Sequence, residues 1–202
     1  PVMDYDITFN DLRGVKFDLQ YKALMAPYDI HDPEQDPLAA IADDNVSATA
    51  YAGHWDQTGR VTGTFTIDGK TYDVNCVSSM DHSWGERKED QFKDFCWLNA
   101  NFDNDVSIHC IWGINPDDPN HYQAIAHGYV RDGDQVYVRN GRLHQFMALQ
   151  VEDERGKTHH FTGTAFTSNP WQPWPFVYCT QSFLRWDLDG VTGWGEVQDV
   201  SM

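Results

Sequence analysis

Apolar and polar residues alternate with a period of two along most of this chain, and this pattern constrains the fold more than any other feature. The segments 15–23 and 106–114 each place apolar residues at every second position. Successive side chains of a β-strand point to opposite faces, so such segments bury one face of a sheet. Two turns, Asp68-Gly69 and the segment 131–134, separate further runs of this kind, as in β-hairpins.

Additional strands are predicted by the same alternation. They cover residues 61–67, 71–77, 124–130, 135–139, 143–151, 159–167, 182–187 and 191–198. Only the segment 38–42 has a helical pattern. The sequence therefore predicts an all-β antiparallel protein of about ten to twelve strands, arranged as a barrel or a curved β-sandwich. We take residues 1–202 as a single β domain.

Three segments rich in proline or aspartate interrupt the alternation, at 26–37, 115–121 and 168–176. The last of them interleaves prolines with Trp171 and Trp174, and Tyr178 follows it. Proline cannot enter a central strand, so this segment is predicted to leave the sheet. It can form a stiff aromatic lid over an apolar cavity, an edge crossover, or a hydrophobic plug that closes one end of a barrel.

The charge of the chain excludes several classes of partner. A formal net charge of -17 argues against binding to nucleic acid or to anionic membranes, because both require basic surface. No apolar run reaches the length of about 18 residues that a membrane helix needs, and no signal peptide or lipidation motif is found. The four cysteines form no CxxC pair. We predict a cytoplasmic protein with buried free thiols and no stable membrane insertion.

The most distinctive motif is Asp81-His82-Ser83-Trp84-Gly85-Glu86, followed by Arg87. It comes after the predicted strand 71–77, where a β scaffold commonly carries functional loops. An acid, an imidazole, a second acid and a guanidinium placed together can tune one another for proton transfer. The alternative is a structural turn, in which Asp81 binds local backbone and Trp84 fills the core.

This motif resembles one found in the lipocalin-like superfamily of carotenoid 1,2-hydratases and their AttH-type relatives. The resemblance includes Gly53-His54-Trp55-Asp56-Gln57, the stretch 80–87 and the closing segment 190–197, within residues 45–87 and 182–198. It implies a lipocalin-like barrel or sandwich. Because these relatives resemble two consecutive lipocalin-like units, the chain is similar to their C-terminal portion. A second β domain or subunit is therefore an expected partner.

The resemblance also implies chemistry on hydrophobic, terpenoid-like substrates: hydration of an alkene, the reverse dehydration, or an acid-catalysed rearrangement, without a cofactor. Protonating a carbon-carbon double bond needs a strong, desolvated acid, and aromatic faces and carboxylates stabilise the resulting cation. We therefore predict Asp81 as the catalytic acid and His82 as its tuning or relay partner.

The remaining candidate residues are assigned to substrate binding or to support of this pair. The predicted substrate-binding residues are His54, Trp55, Trp84, Trp112, Trp171, Trp174 and Tyr178. Arg87 matches the motif and is predicted to give electrostatic support. Glu86 is predicted to give the same support, by activating water or by pairing with Arg87. It falls at a variable position and, as the neighbour of Arg87 in a strand-like context, points to the opposite face.

The other histidines carry weaker predictions. His109 and His127 lie within predicted strands, where a lone histidine is more often a hydrogen-bonded structural residue. The chain has nine histidines but no HxH or HxxxH pair, so no metal site is predicted.

A non-catalytic carrier is the competing function. A β-barrel with an aromatic lining can hold a hydrophobic ligand without changing it. A buried Asp81 beside a closed apolar cavity favours the enzyme, whereas an exposed Asp81 favours the carrier. A third interpretation is a structural half-domain whose partner contains the active site.

Overall fold

The computed structural model describes residues 3–36, 39, 51–87, 94–113, 123–144 and 148–201, without the side chains of residues 51, 87, 123, 124, 126 and 138–144. The all-β prediction is confirmed, and the described residues form thirteen strands rather than ten to twelve. The strands are β1 (Asp4–Asn10), β2 (Lys16–Ala23), β3 (Tyr28–Asp29), β4 (Tyr51–Ile67), β5 (Lys70–Arg87), β6 (Phe95–Phe102), β7 (Val106–Gly113), β8 (Gln123–Asp132), β9 (Gln135–His144), β10 (Ala148–Asp153), β11 (Thr158–Trp174), β12 (Val177–Leu188) and β13 (Val191–Ser201). None of the described residues form a helix long and apolar enough to cross a membrane.

The chain divides into two compact units, and the first contains Pro1–Pro27 and Trp55–His82. Its sheet pairs β1 with β2 and β2 with β4, both antiparallel, and β5 also pairs with β4. The hairpin between β4 and β5 turns at Asp68 and Gly69, whose φ angles are 50° and 72°. Two consecutive positive φ values are typical of a type I′ turn, which confirms the predicted hairpin.

The second unit contains Tyr28–His54 and Ser83–Met202, and eight of its strands close into a barrel in the order β10-β11-β12-β13-β6-β7-β8-β9. The inward side chains form one buried apolar cluster. Its members are Cys96, Leu98, Ala100, Phe102, Val106, Ile108, Cys110, Trp112, Val130, Leu149, Val151, Phe161, Leu184, Trp186, Leu188 and Val197. An eight-stranded barrel is just wide enough to be filled in this way, so the described interior is a packed core.

The aromatic segment 168–176 is neither a lid nor a plug. It continues β11 as far as Trp174 and returns through a hairpin into β12. Pro170 is tolerated because the described pairs of β10 with β11 end at Thr162, which leaves this part of β11 paired with β12 alone. Trp171 and Trp174 are 45% and 43% exposed on this hairpin.

The predictions for one strand, for the cysteines and for two further segments have different outcomes. The predicted strand 143–151 is two strands, because β9 ends at His144 and β10 begins at Ala148. All four cysteines are free as predicted, but Cys76 is exposed rather than buried. The predicted loop 115–121 and, apart from residue 39, the predicted helical segment 38–42 lie outside the described residues.

The hairpin between β10 and β11 is held by the carboxylate of Asp153. This buried side chain accepts hydrogen bonds from the backbone N–H groups of Arg155 and Lys157, at 3.0 and 3.1 Å. It also lies 3.1 Å from His159 Nε2 and pairs with the Arg155 guanidinium. Burial raises the pKa of Asp153, but the hydrogen bonds from Arg155 and His159 outweigh it and lower that pKa to about 2.

We therefore expect Asp153→Ala to lower the free energy of unfolding at pH 7 by about 1–3 kcal/mol. Because the pKa is lower in the folded protein than in the unfolded chain, this stabilisation is present above pH about 4 and is lost as the pH falls towards 2. Urea unfolding of the wild type and the variant at pH 7 and pH 2.5 would measure both effects. Glu152→Ala, which removes an exposed neighbouring carboxylate, is the control. A constant difference between Asp153→Ala and the wild type at both pH values would contradict this role.

Candidate active site

The outer face of β6, β7 and β8 is polar and yet buried. The side chains on this face are Trp97, Asn99, Asn101, Ser107, His109, His127, Tyr129 and Arg131, and each is at most 8% exposed. They alternate with inward residues of the barrel core, such as Leu98 and Cys110. Burial of so many polar groups on one surface costs free energy unless they are paired. This face is therefore a candidate functional site.

Four side chains on or against this face form what we call the histidine cluster: Asp36, His54, His109 and His127. Nδ1 of His127 lies 2.6 Å from Oδ2 of Asp36, with both side chains almost completely buried. The ring centre of His109 is 5.6 Å from that of His127, and the ring centre of His54 is 6.2 Å away. Two further imidazoles thus lie beside the imidazole that is hydrogen-bonded to the Asp36 carboxylate.

Strand pairing holds these residues in place. His109 lies opposite Tyr129, and Ile111 lies opposite His127, just before a register shift in the pairing of β7 with β8. The ring of Tyr28 lies 4.9 Å from the ring of His127 and 5.3 Å from that of Tyr129, which fixes β3 against the cluster. The ring of Tyr28 and the neighbouring imidazoles of His54 and His109 therefore restrict the rotamer of His127.

This arrangement is suited to proton transfer. A carboxylate beside Nδ1 makes that nitrogen the hydrogen-bond donor and leaves Nε2 as the basic nitrogen of His127. The same carboxylate stabilises the imidazolium when Nε2 gains a proton, as in catalytic triads. Ring nitrogens of His54 and His127 also lie within 4.8 Å of each other. That spacing suits two ligands of one Zn²⁺ ion. The absence of a metal site, expected from the sequence, therefore stays a prediction.

The Asp81 to Glu86 motif does not form a loop, which corrects the sequence interpretation. It lies within β5, because the long strand β4 provides a partner beyond residue 77. Asp81 and His82 are exposed on this strand, and the ring of His82 stacks on that of Trp55 at 5.1 Å. In the first unit the structure therefore brings together one predicted catalytic residue and one predicted substrate-binding residue.

The second half of the motif packs against β4 as well. A Cβ atom added to Gly53 would lie 2.2 Å from the indole of Trp84, so only glycine allows this contact. Trp84 is 48% exposed. Glu86 is exposed, and Arg87 ends β5 with a side chain outside the described residues.

Among the predicted site residues, His54 belongs to the histidine cluster. Trp112 is completely buried inside the barrel core, and Tyr178 is 62% exposed on β12. Sequence reasoning assigned His109 and His127 to structural roles and did not select Asp36, which lies in the predicted loop 26–37. In the sequence, His109 and His127 share only their polarity on the non-core face of two strands. That polarity does not reveal that Asp36, 91 residues from His127, is the partner of its ring.

Comparison with known proteins identifies the family. The sequence profile of a domain of unknown function, DUF7064, matches residues 1–199. The chain belongs to the DUF7064 family. A comparison of this DUF7064 chain with curated protein sequences finds no match.

Solved structures share the fold of this DUF7064 chain. Kievitone hydratase from Nectria haematococca superimposes with a TM-score of 0.56 at 13% identity, covering 99% of this chain and 65% of that protein. An AttH-like protein from Nitrosomonas europaea superimposes with a TM-score of 0.54 at 12% identity, covering 98% of this chain and 65% of that protein. The chain thus spans about two thirds of the length of either structure. These similarities confirm the predicted lipocalin-like fold.

Proposed function

We propose that this DUF7064 protein is an acid-base hydro-lyase or isomerase that acts on a hydrophobic, isoprenoid-type substrate without a cofactor. The observation that carries the proposal is the buried hydrogen bond of 2.6 Å between His127 Nδ1 and Asp36 Oδ2. Support comes from the fold shared with a hydratase, and from the sequence resemblance to carotenoid 1,2-hydratases. A carboxylate that orients a buried imidazole is a recurring device of general acid-base catalysis.

In the direction of hydration, protonated His127 donates its Nε2 proton to one carbon of the double bond. The other carbon becomes cationic, and the aromatic face of Tyr28 beside His127 stabilises that charge. A water molecule adds to the cation, and a neighbouring imidazole, His109 or His54, takes up the proton that the water releases. When that proton has passed back to His127, the sum is addition of one water across the double bond. Dehydration runs the same steps in reverse.

Asp81 and His82 remain the sequence-based alternative for the proton-transfer pair. Both are exposed on β5, whereas protonation of carbon requires a desolvated acid. The geometry therefore supports Asp36 and His127 better. The exposure of Asp81 is the outcome expected of a carrier, but a carrier with its ligand inside the barrel has less support because the described interior is filled by side chains. A second β domain or subunit as partner also stays a proposal.

The test is turnover of a panel of terpenoid alcohols and alkenes by the intact protein, comparing wild type with His127→Gln and Asp36→Asn. Each substitution keeps the approximate size of the side chain and removes its acid-base function. We expect each to lower kcat by about 100-fold or more, with the fold retained by circular dichroism.

Asp81→Asn is the matched control, since it makes the same chemical change at an exposed carboxylate. It is expected to keep wild-type turnover. If Asp81→Asn abolishes turnover while His127→Gln does not, the proton-transfer site is the one predicted from the motif. If the wild type binds members of the panel tightly but converts none, the protein is a carrier.

A further inference from the structure

Three polar atoms on the buried outer face of the barrel have no hydrogen-bond partner among the described residues. They are Nε1 of Trp97, Oδ1 of Asn101 and Nε of Arg131. These side chains are only 7%, 8% and 2% exposed. Because native proteins pair nearly all buried polar atoms, three such atoms on one surface indicate a bound molecule that supplies their partners.

The strand register places these three residues in rows on both sides of the row that contains His109. Trp97 pairs with Ile111, which pairs with His127, so these three form one row across β6, β7 and β8. Asn101 forms another row in the same way with Ser107 and Arg131. The row between them contains His109, whose ring centre is 5.4 Å from that of Trp97. These three side chains thus lie on both sides of His109, and Trp97 shares a row with His127.

The chemistry of these atoms restricts the ligand. The indole of Trp97 and the guanidinium of Arg131 only donate hydrogen bonds, whereas Oδ1 of Asn101 only accepts them. A pure hydrocarbon satisfies none of these groups. A hydroxyl group can accept from the indole or donate to the amide, and a carbonyl oxygen can accept from the indole.

We infer that the substrate is an oxygenated molecule whose oxygen accepts a hydrogen bond from Trp97 Nε1–H, and not a plain hydrocarbon. The inference rests on the proposed function and deepens it, because it names the part of the substrate that the face beside His109 and His127 recognises. A polar anchor at this position holds the reacting carbons of a flexible isoprenoid chain in register with the imidazoles. Trp97 is a positioning residue, since it binds a part of the substrate that does not react.

The test measures binding by calorimetry for three probes: the alcohol geraniol, the ketone geranylacetone and the hydrocarbon myrcene. We expect geraniol or geranylacetone to bind at least about tenfold more tightly than myrcene, because a site built to hydrogen-bond an oxygen rejects an analogue that lacks it. Preference for geraniol identifies a hydroxyl anchor, and preference for geranylacetone identifies a carbonyl anchor. Trp97→Phe should remove the preference, since it keeps an aromatic ring and deletes the N–H.

Trp186→Phe is the matched control, because the Trp186 indole N–H is likewise buried without a described partner but belongs to the barrel core. It should leave the preference unchanged. In ¹⁵N-¹H spectra, the preferred probe should move the indole resonance of Trp97 downfield and not that of Trp186. The inference is overturned if myrcene binds as tightly as the oxygenated probes, if no probe binds, or if Trp97→Phe keeps the preference. His127→Gln should bind the oxygenated probes with wild-type affinity but should not convert them. Repeating the titration with this variant therefore distinguishes a failure of the binding inference from a failure of the proposed chemistry.

Discussion

Replacing Gly128 with alanine is expected to destabilise the barrel by about 3 kcal/mol or more, enough to unfold a marginally stable domain. Gly128 has a φ of 137°, where residues with a Cβ atom are strained. An added Cβ would lie 2.2 Å from the backbone oxygen of His109 and 2.7 Å from Cα of Cys110. These are backbone atoms of the paired strand, so no side-chain rotation relieves the clash.

The measurement is the free energy of unfolding in urea, with circular dichroism as the signal. Gly113→Ala is the matched control on β7, because an added Cβ there has no atom within 4 Å. The control should stay within about 0.5 kcal/mol of the wild type. Gly128 lies between His127 and Tyr129, so the variant should also lose turnover. Wild-type stability of Gly128→Ala would mean that β7 and β8 do not pair in the described register.

Replacing Trp112 with alanine is expected to lower the free energy of unfolding by about 3–5 kcal/mol. The indole is completely buried within the apolar cluster of the barrel, and Trp112 lies opposite Cys96 on the neighbouring strand. Truncation removes a large apolar surface from the core and leaves a cavity that rigid strands cannot close. The structure therefore gives Trp112 a packing role, although the sequence suggested substrate binding.

Trp194→Ala is the control for this prediction, because Trp194 is 53% exposed. Its loss should cost about 1 kcal/mol or less. Chemical unfolding of both variants, together with the affinity for the oxygenated probe, separates the two roles of Trp112. A Trp112→Ala protein with wild-type stability and greatly reduced affinity would restore the role in substrate binding.

Local patterns in the sequence were sufficient for the strands and for the tightest turns. The alternation at 106–114 became β7, and the turn at Asp68 and Gly69 became the hairpin between β4 and β5. The aromatic segment 168–176 was expected to leave the sheet because proline cannot enter a central strand, but it forms part of β11. Whether proline is tolerated depends on whether its missing N–H faces a neighbouring strand, and that is a property of the sheet.

For the candidate site, too, local patterns were informative only about neighbouring residues. The motif at 81–86 attracts attention because its polar residues are contiguous, but contiguous residues on a strand point to opposite faces. Asp36 and His127 are unremarkable where they stand in the sequence and meet only after β3 and the barrel have folded.

By itself, the sequence determined the all-β class, most strand positions and the hairpin turns, because these depend on side-chain periodicity and on φ preferences within a few residues. Only the tertiary structure decided which histidines converge, which tryptophans are core, and which carboxylate is buried beside an imidazole. Those outcomes depend on strand register and on contacts between residues far apart in the chain. Hydrophobic alternation and hairpin turns set the face and register of neighbouring strands, but they do not encode which distant segments lie against that face.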